Sequence, residues 1–464
     1  MEKIIEKMKV VHIIGIGGSG TSGLAKIFRA TGKMVQGSDM RRTTQTEYLE
    51  NLGIPVFYGH NANNIDEKID LVIRSQAITP DNPEFLRAKE LKIPVINYPR
   101  ALGLLMHEKR GIAVAGTHGK TTTSAMTVFM LKHAGYDPDF VIGGEICGYG
   151  NSGVGTGNFL VVEACEYKRS FLNFEPDVGI ITSIEEDHLD YYRDINDIKN
   201  AFDDFSERIK PGGKLIGMME DPLVASVMTK SGTISLGYGF EYGDVLAKNI
   251  RFTEEGNRFE CYYSGKKLGE VFTPVYGKHN VLNVLAVICT GMVLDVPFSQ
   301  IVDALDKFPG VLRRSQILAC VNDIFIVDDY GHHPSELQAT LSAARSNSNK
   351  RVIAVFQPHR YTRTKLLFDD FGKSFNDADI VIITDIYAAS EQKIEGVTSE
   401  LIINSLKKYG KENVIYFDEF SKIVDYLLET AQSGDIILTL GAGDIWKVSE
   451  ELSKKLIKKF AERK

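Results

Sequence analysis

Long apolar runs are missing from this chain. The longest uncharged apolar-rich stretch, residues 281–294, holds Asn, Thr and Gly and falls short of the roughly 20 residues that cross a bilayer. It reads as a buried helix, and no membrane insertion is expected. Cysteine is scarce and unpatterned: Cys147, Cys165, Cys261, Cys289 and Cys320 make no CxxC pair and no metal spacing. An odd count also excludes a complete disulfide framework, so reduced thiols in a cytoplasmic compartment are expected. The opening residues MEKIIEKMKV alternate charged with apolar side chains, which predicts no signal peptide. Positive charge is in deficit, with 54 Lys and Arg against 61 Asp and Glu. A net charge of −7 argues against bulk nucleic-acid binding while leaving room for a local basic pocket. Low-complexity linkers and repeats of 20–50 residues are absent too, which excludes solenoids. What remains is 43% hydrophobic and 25% charged, an ordinary globular composition. At 464 residues it is long enough for about three domains.

Three segments each alternate strands with helices, the pattern of parallel, doubly wound sheets. The first opens with KVVHIIGIGGSG, continues through MVQGSD, PVFYG, DLVIRS and KIPVINY, and closes near Met106. The second opens with GIAVAGTHGKTTT and holds the strands FLVVEA and VGIITSI, a β-rich stretch over 232–274, and helices to FPGVLRR. The third gives strands at IFIVDD, RVIAVF, DIVIIT, NVIYF and DIILTL, a smaller parallel sheet. The expected fold class is α/β with three domains. A Rossmann-like domain spans 1–107. A P-loop ATPase-like domain, with a parallel sheet plus a small antiparallel sheet, spans 108–312. A second Rossmann-like domain spans 313–464.

Gly15-x-Gly17-x-x-Gly20 lies between a strand and a helix, with Asp39 nineteen residues on. Such glycines let backbone N–H groups and a helix N-terminus approach a diphosphate. A dinucleotide or a nucleotide-sugar diphosphate fits here, against a plain tight turn, and the fingerprint by itself suggests NAD. Gly116-Thr117-His118-Gly119-Lys120-Thr121 is the more specific signal. It follows an apolar strand and starts a helix, so that amides would cradle phosphate, Lys120 would meet the transferable phosphate and Thr121 would ligate Mg²⁺. It departs from GxxxxGK[ST] in having Val114 at the first glycine position. Glu163 ends the strand FLVVEA and suits Mg²⁺ beside such a loop, the alternative being a surface acid; Glu166 stays undecided. His188 in IEEDHLD could serve a second ion or pack beside a capping acid. Asn280 and Asn283 share a helix face at i, i+3, where both amides could reach a base or phosphate, or simply cap the helix. Arg313, Arg314, Asp328, Asp329, His332 and His333 combine groups for phosphate and ribose with polar lining. Arg360 and Arg363, three apart at a helix start, suit a carboxylate clamp or a solvated basic turn.

The strings IGIGGSGTSGLA, AGTHGKTTTSAM, IEEDHLD, GKHNVLNVLA, VDDYGHHPSE and FQPHRYTRT together resemble the ATP-dependent Mur ligases of peptidoglycan assembly. They span residues 13 to 364 in the family's order. The resemblance implies that the first glycine turn binds the uridine diphosphate of UDP-N-acetylmuramate rather than NAD, through Gly15, Gly17, Gly18, Ser19, Gly20, Asp39 and Ser75. It implies ATP on Gly116, Thr117, His118, Gly119, Lys120, Thr121, Thr122, His279, Asn280, Asn283, Arg314 and Asp329. Two Mg²⁺ ions, replaceable by Mn²⁺, would be held by Thr121 and Glu163 and by His188. L-alanine would meet Tyr330, His332, Arg360 and Arg363. Lys120, His188, Arg314 and His332 would carry the chemistry, in which an acyl phosphate forms and the alanine amine displaces phosphate. A monomer or weak homodimer is expected. The chain departs from the family where DESDxS is usual, having Cys165-Glu-Tyr-Lys-Arg-Ser170, and has Ser315 where many relatives carry Phe. The rival readings are a sister ligase that attaches a preformed peptide, an NAD-linked oxidoreductase, and a binding protein without turnover.

Overall fold

The computed structural model describes residues 8–253, 255–346, 350–389 and 391–461. The chain divides into two compact units, one of residues 1–249, 260–271 and 282–309, the other of 250–259, 272–281 and 310–464.

The first unit begins with a five-stranded parallel sheet in the order Val56–Tyr58, Met34–Asp39, Val10–Ile14, Leu71–Arg74, Val95–Asn97. Its central strand is nearly continuous apolar sequence because both faces are covered. The strand order reverses between Val10–Ile14 and Leu71–Arg74, and a crevice at such a switch point is where ligands of open α/β sheets bind. The next sheet runs Gly150–Gly153, Asp139–Ile146, Phe159–Glu163, Arg110–Ala115, Val178–Ile181, Lys214–Met218, Ile234–Gly239. All these neighbours pair in parallel except the first two, which form an antiparallel hairpin. The strands Val245–Thr253, Gly256–Tyr263 and Lys266–Thr273 follow in the same ten-stranded sheet. They match the β-rich stretch expected over 232–274. They extend the parallel sheet, through a short parallel pairing of Tyr238 with Val245 and Gly239 with Leu246, instead of standing apart from it.

One apolar core joins the two sheets of this unit. Leu24, Phe28, Leu102 and Met106 pack with Val141, Phe171, Phe202 and Phe205. Gly23 allows the close approach, since a Cβ there would lie 2.7 Å from that of Ser152. Lys26 donates to the Ser152 carbonyl at 3.1 Å. The stretch expected as a buried helix is the core of Lys278–Val293, with 284–289 fully buried.

The second unit carries a six-stranded sheet in the order Gln316–Val321, Ile324–Asp329, Asp435–Leu440, Arg351–Phe356, Ile380–Ile383, Val414–Tyr416. Five strands are parallel, as expected; the sixth, Gln316–Val321, is an antiparallel edge that the sequence reading omits. It reaches Ile324–Asp329 through Asn322 and Asp323, both at positive φ, the backbone of a two-residue hairpin turn. Helices cover both faces. Leu337, Leu341, Phe371, Ile402 and Leu406 pack on one side, and Ile423, Leu427, Val448, Leu452 and Leu456 on the other. No described helix is long and apolar enough to cross a membrane.

Candidate active site

The glycine turn of the first unit leaves its strand at Gly15, whose φ of 77° favours glycine. The Gly15 and Ile16 amides donate to the Ser38 carbonyl at 2.8 and 2.9 Å. Gly17 N–H donates to Asp39 Oδ2 at 2.9 Å. One Asp39 oxygen therefore shapes the turn itself. Ser75 follows the neighbouring strand and lies against Gly15, 3.0 Å from where a Cβ would stand. Gly20 is packed on Tyr98, while Gly18 and Ser19 are exposed. Ser19 starts the helix Ser19–Ala30, whose first turn has no side-chain cap. Its uncapped N–H groups and dipole suit a diphosphate.

The phosphate loop follows the strand Arg110–Ala115 and opens the helix Lys120–His133. Gly119 stands at the helix N-cap with φ 80°, and a Cβ there would lie 2.4 Å from Asn283 Oδ1. The loop is pinned from the adjacent strand end: Thr117 N–H donates to the Ser183 carbonyl at 2.9 Å and His118 N–H to Ser183 Oγ at 3.0 Å. Thr122 lies half-buried in the first helical turn.

Lys120 Nζ donates to the carbonyls of Gly116 (2.5 Å) and Thr117 (3.0 Å) and to both Glu166 oxygens (3.1 and 3.0 Å). Burial alone would lower its pKa, but Glu166, with Cys165 and Glu163 behind it, more than offsets this and raises it above the ordinary lysine value. Glu166, left undecided by the sequence, is 2% exposed and is the lysine's counter-ion.

Thr121 Oγ1 donates to Glu163 Oε2 at 2.9 Å, and the Gly143 amide donates to the same oxygen at 2.8 Å. A hydroxyl and a carboxylate together at the loop fit a hard divalent cation. His188, the remaining member of the expected metal set, takes a left-handed φ of 56°. Its ring packs on Tyr167 at 4.7 Å and its Nε2 lies 3.8 Å from Asp187. Asn283 accepts from Thr123 Oγ1 at 3.2 Å, at the loop.

In the second unit, Asn280 turns its amide back to the Tyr276 carbonyl at 2.7 Å. His279 stands beside Gly277 at the helix start. Asp329 is 5% exposed. Its Oδ2 accepts from Ser315 N–H (2.7 Å) and its Oδ1 from Gly331 N–H (2.7 Å). Burial raises its pKa against the pull of Arg314. Arg313 binds Asp328 (2.9 Å) and the Gly441 and Gly443 carbonyls, a fixed strut. Arg314 lies over the Tyr330 ring at 5.2 Å.

His332 Nδ1 meets the Tyr330 carbonyl at 3.0 Å, and its ring stands edge-on to His359, which stacks on Tyr387. Arg363 Nη1 reaches His359 Nδ1 at 3.2 Å. Arg360 is the N-cap of Tyr361–Lys373 at φ 70°. It stands at the helix start, with Arg363 in the first helical turn. His359, Tyr387 and Glu336 are absent from the sequence-derived site. Glu336 was legible: two residues after Pro334, it accepts from the His332 and His333 amides as a helix-start acid does.

Burial, with Arg363 and Arg314 adding to it, pulls His332 down to about 4 against Glu336; burial, His332 and the two arginines pull His359 down to about 3. Both are neutral at pH 7. In the unfolded chain they protonate near pH 6.5, so their folded form is fully favoured above that and loses stability as pH falls toward 4. Urea unfolding at pH 5 against pH 7.5 should show an acid loss of roughly 4 kcal/mol, about half from each imidazole, that falls to about half in His359→Gln. An unchanged loss in that variant would remove His359 from the account.

A phosphate loop on a parallel sheet, with a hydroxyl–carboxylate pair beside its lysine, defines an enzyme of nucleotide-dependent phosphoryl transfer. Family models match in order along the chain: the Mur ligase family, catalytic domain over residues 10–110, the Mur ligase middle domain over 114–291, and the Mur ligase, glutamate ligase domain over 313–443. The chain belongs to the Mur ligase family. It is 44% identical over 452 residues to the UDP-N-acetylmuramate–L-alanine ligase of Geotalea uraniireducens, covering 97% of this chain and 98% of that one. It is similar to the crystal structure of the UDP-N-acetylmuramate-alanine ligase of Thermotoga maritima, with a TM-score of 0.80 and 31% identity over 98% of this chain and 100% of the other. A murein peptide ligase from Psychrobacter arcticus gives a TM-score of 0.68 at 25% identity, covering 97% and 98%.

Proposed function

We propose that this chain is an ATP-dependent, amide-forming ligase that joins L-alanine to the lactyl carboxylate of UDP-N-acetylmuramate and releases ADP and phosphate, an early step of peptidoglycan precursor synthesis. The observation that carries the reading is the buried phosphate loop, in which Lys120 is held charged by Glu166 while Thr121 and Glu163 stand together beside it. The likeness to L-alanine ligases over nearly the whole chain supports the donor.

The substrate carboxylate attacks the γ-phosphorus of ATP, ADP leaves, and an acyl phosphate remains. Lys120 stabilises the charge on the phosphoryl group as it migrates. Thr121 and Glu163 would hold Mg²⁺, with His188 serving a second ion, and an ion bound there would supply positive charge against the phosphates. The neutral amine of alanine then attacks the acyl carbon and phosphate departs. His332, neutral at pH 7, accepts the amine's proton, and Arg360 and Arg363 hold the alanine carboxylate. The UDP moiety lies on the turn 15–20 with Asp39 and Ser75. ATP lies on 116–122 with His279, Asn280, Asn283, Arg314 and Asp329. We set the domain limits at 107 and 312, and place a monomer or weak homodimer in the cytoplasm.

The test is phosphate release from Mg-ATP with UDP-N-acetylmuramate, run separately with L-alanine, glycine, L-serine and a wall tripeptide. Release requiring both the sugar and L-alanine supports the proposal, and release with the tripeptide alone moves the chain to a peptide-attaching ligase. A pocket separates donors differing by one methyl group by only about 1–3 kcal/mol, so weak glycine turnover is compatible. Arg363→Ala should raise KM for alanine by about tenfold or more while leaving KM for ATP within about twofold. Equal rises in both would take this arginine out of the amino-acid site.

A further inference from the structure

Beneath the first glycine turn lies a buried polar cluster that the reaction does not use. At its centre is Glu84, in the first turn of the helix Pro83–Glu90 and 0% exposed. Its Oε2 accepts from Ser38 Oγ at 2.6 Å and meets His12 Nε2 at 3.2 Å. Its Oε1 accepts from Asn64 Nδ2 at 2.6 Å and from the Asn61 amide at 3.2 Å. Gln36 Nε2 donates to His12 Nδ1 at 3.2 Å, which leaves the histidine proton on Nε2, facing the carboxylate. His60 Nδ1 lies 3.1 Å from Ser38 Oγ. A buried carboxylate is costly unless its oxygens are met by donors, and here both are met by groups from several elements.

The cluster ends on the turn. Ser38, whose hydroxyl is held by Glu84, is the residue whose carbonyl receives the Gly15 and Ile16 amides. The next residue, Asp39, receives the Gly17 amide. The end of the strand Met34–Asp39 thus sets the direction of three successive turn amides, and Glu84 sets the position of that strand end. A glycine-rich turn that must approach a diphosphate by its backbone has few side chains of its own to fix it: Ile16 anchors it in the core and Thr21 Oγ1 donates to the Gly15 and Gly18 carbonyls, and the direction of its first amides comes from below.

We infer that Glu84 is a positioning residue of the nucleotide-sugar site, acting through Ser38 on the backbone of residues 15–17. The inference rests on the proposed placing of the UDP group at that turn. Removing the carboxylate loosens the turn and weakens binding of the UDP-sugar, while the phosphate loop, built from other strands, keeps its affinity for ATP. A carboxamide retains one acceptor oxygen for Ser38 or for Asn64, so Glu84→Gln is milder than Glu84→Ala.

The experiment is steady-state kinetics on the full chain with UDP-N-acetylmuramate and ATP varied in turn, with calorimetric binding of UDP-N-acetylmuramate alone. Glu84→Ala should raise KM and Kd for the UDP-sugar about tenfold, leaving kcat and the KM for ATP within about twofold, with Glu84→Gln between it and the wild type. Ser38→Ala keeps Glu84 and its other donors and cuts only the link, so it serves if Glu84→Ala fails to fold; it should show the same selective loss. Gly15→Ala, strained at φ 77° and close to Ser75, reports on the turn itself. If Gly15→Ala weakens the UDP-sugar while Glu84 and Ser38 variants do not, the positioning role is overturned and the site stands. If none of them moves UDP-sugar binding, the placing of the UDP group falls, and the inference with it. A parallel loss in kcat and both KM values marks Glu84 as structural only.

Discussion

Replacing Lys120 with alanine is expected to lower phosphate release by about 10³-fold or more, because the charge that stabilises the migrating phosphoryl group is gone. The structure adds a second consequence that the motif alone does not. Glu166 is 2% exposed and has both oxygens on this lysine, so the variant keeps a buried carboxylate without its counter-ion. Breaking one side of a buried pair costs about 3–5 kcal/mol, and Lys120→Ala should unfold at clearly lower urea concentration. Lys120→Met combined with Glu166→Gln removes both charges, and should recover most of that stability without recovering turnover. Urea unfolding and phosphate release on the three proteins check this. Near-normal turnover in Lys120→Ala would sink the phosphate assignment, and an unaltered urea midpoint would mean that Glu166 does not depend on Lys120.

This pair illustrates which features were legible beforehand. The phosphate loop is readable because its chemistry demands a strand, glycines and a lysine in immediate succession, and all lie within a dozen residues. The parallel strands are readable for a similar local reason: RGIAVA, FLVVE and VGII are buried on both faces and carry little else. Glu166 was not readable, because its partner lies 46 positions away and sequence spacing says nothing about which acid turns inward. The strand Asp139–Ile146 was hidden by Gly143-Gly144, a pair that reads as a break. In the fold Gly143 is a glycine because a Cβ would stand 2.7 Å from a Glu163 oxygen. The edge Gln316–Val321 alternates poorly and is largely exposed, so it carries no periodic signal. Arg360 is legible as a helix-start residue, but its place as the cap, at positive φ, is not. The shared core of the first two sheets was out of reach as well, since Leu102, Met106 and Phe171 look like any other apolar positions until they meet.

Glu163 allows the sharpest test of the metal. In Glu163→Gln the carbonyl oxygen of the amide can still accept from Thr121 Oγ1 and the Gly143 amide, the two donors seen at 2.9 and 2.8 Å. The local fold should therefore persist, and the thermal midpoint should stay within about 2 °C of the parent. What disappears is the negative charge, and a divalent cation held by a hydroxyl and a neutral amide is held weakly. Phosphate release should fall about 100-fold at ordinary Mg²⁺, and the Mg²⁺ concentration for half-maximal rate should rise about tenfold, so that added metal restores part of the loss. A Mg²⁺ titration of the rate in both proteins separates the possibilities. If the rate falls but its metal dependence is unchanged, Glu163 acts only by holding Thr121 at the loop. If neither changes, the cation is held elsewhere. The expected shift, with the fold intact, would place the ion where the phosphate loop and the end of Phe159–Glu163 bring a hydroxyl and a carboxylate together.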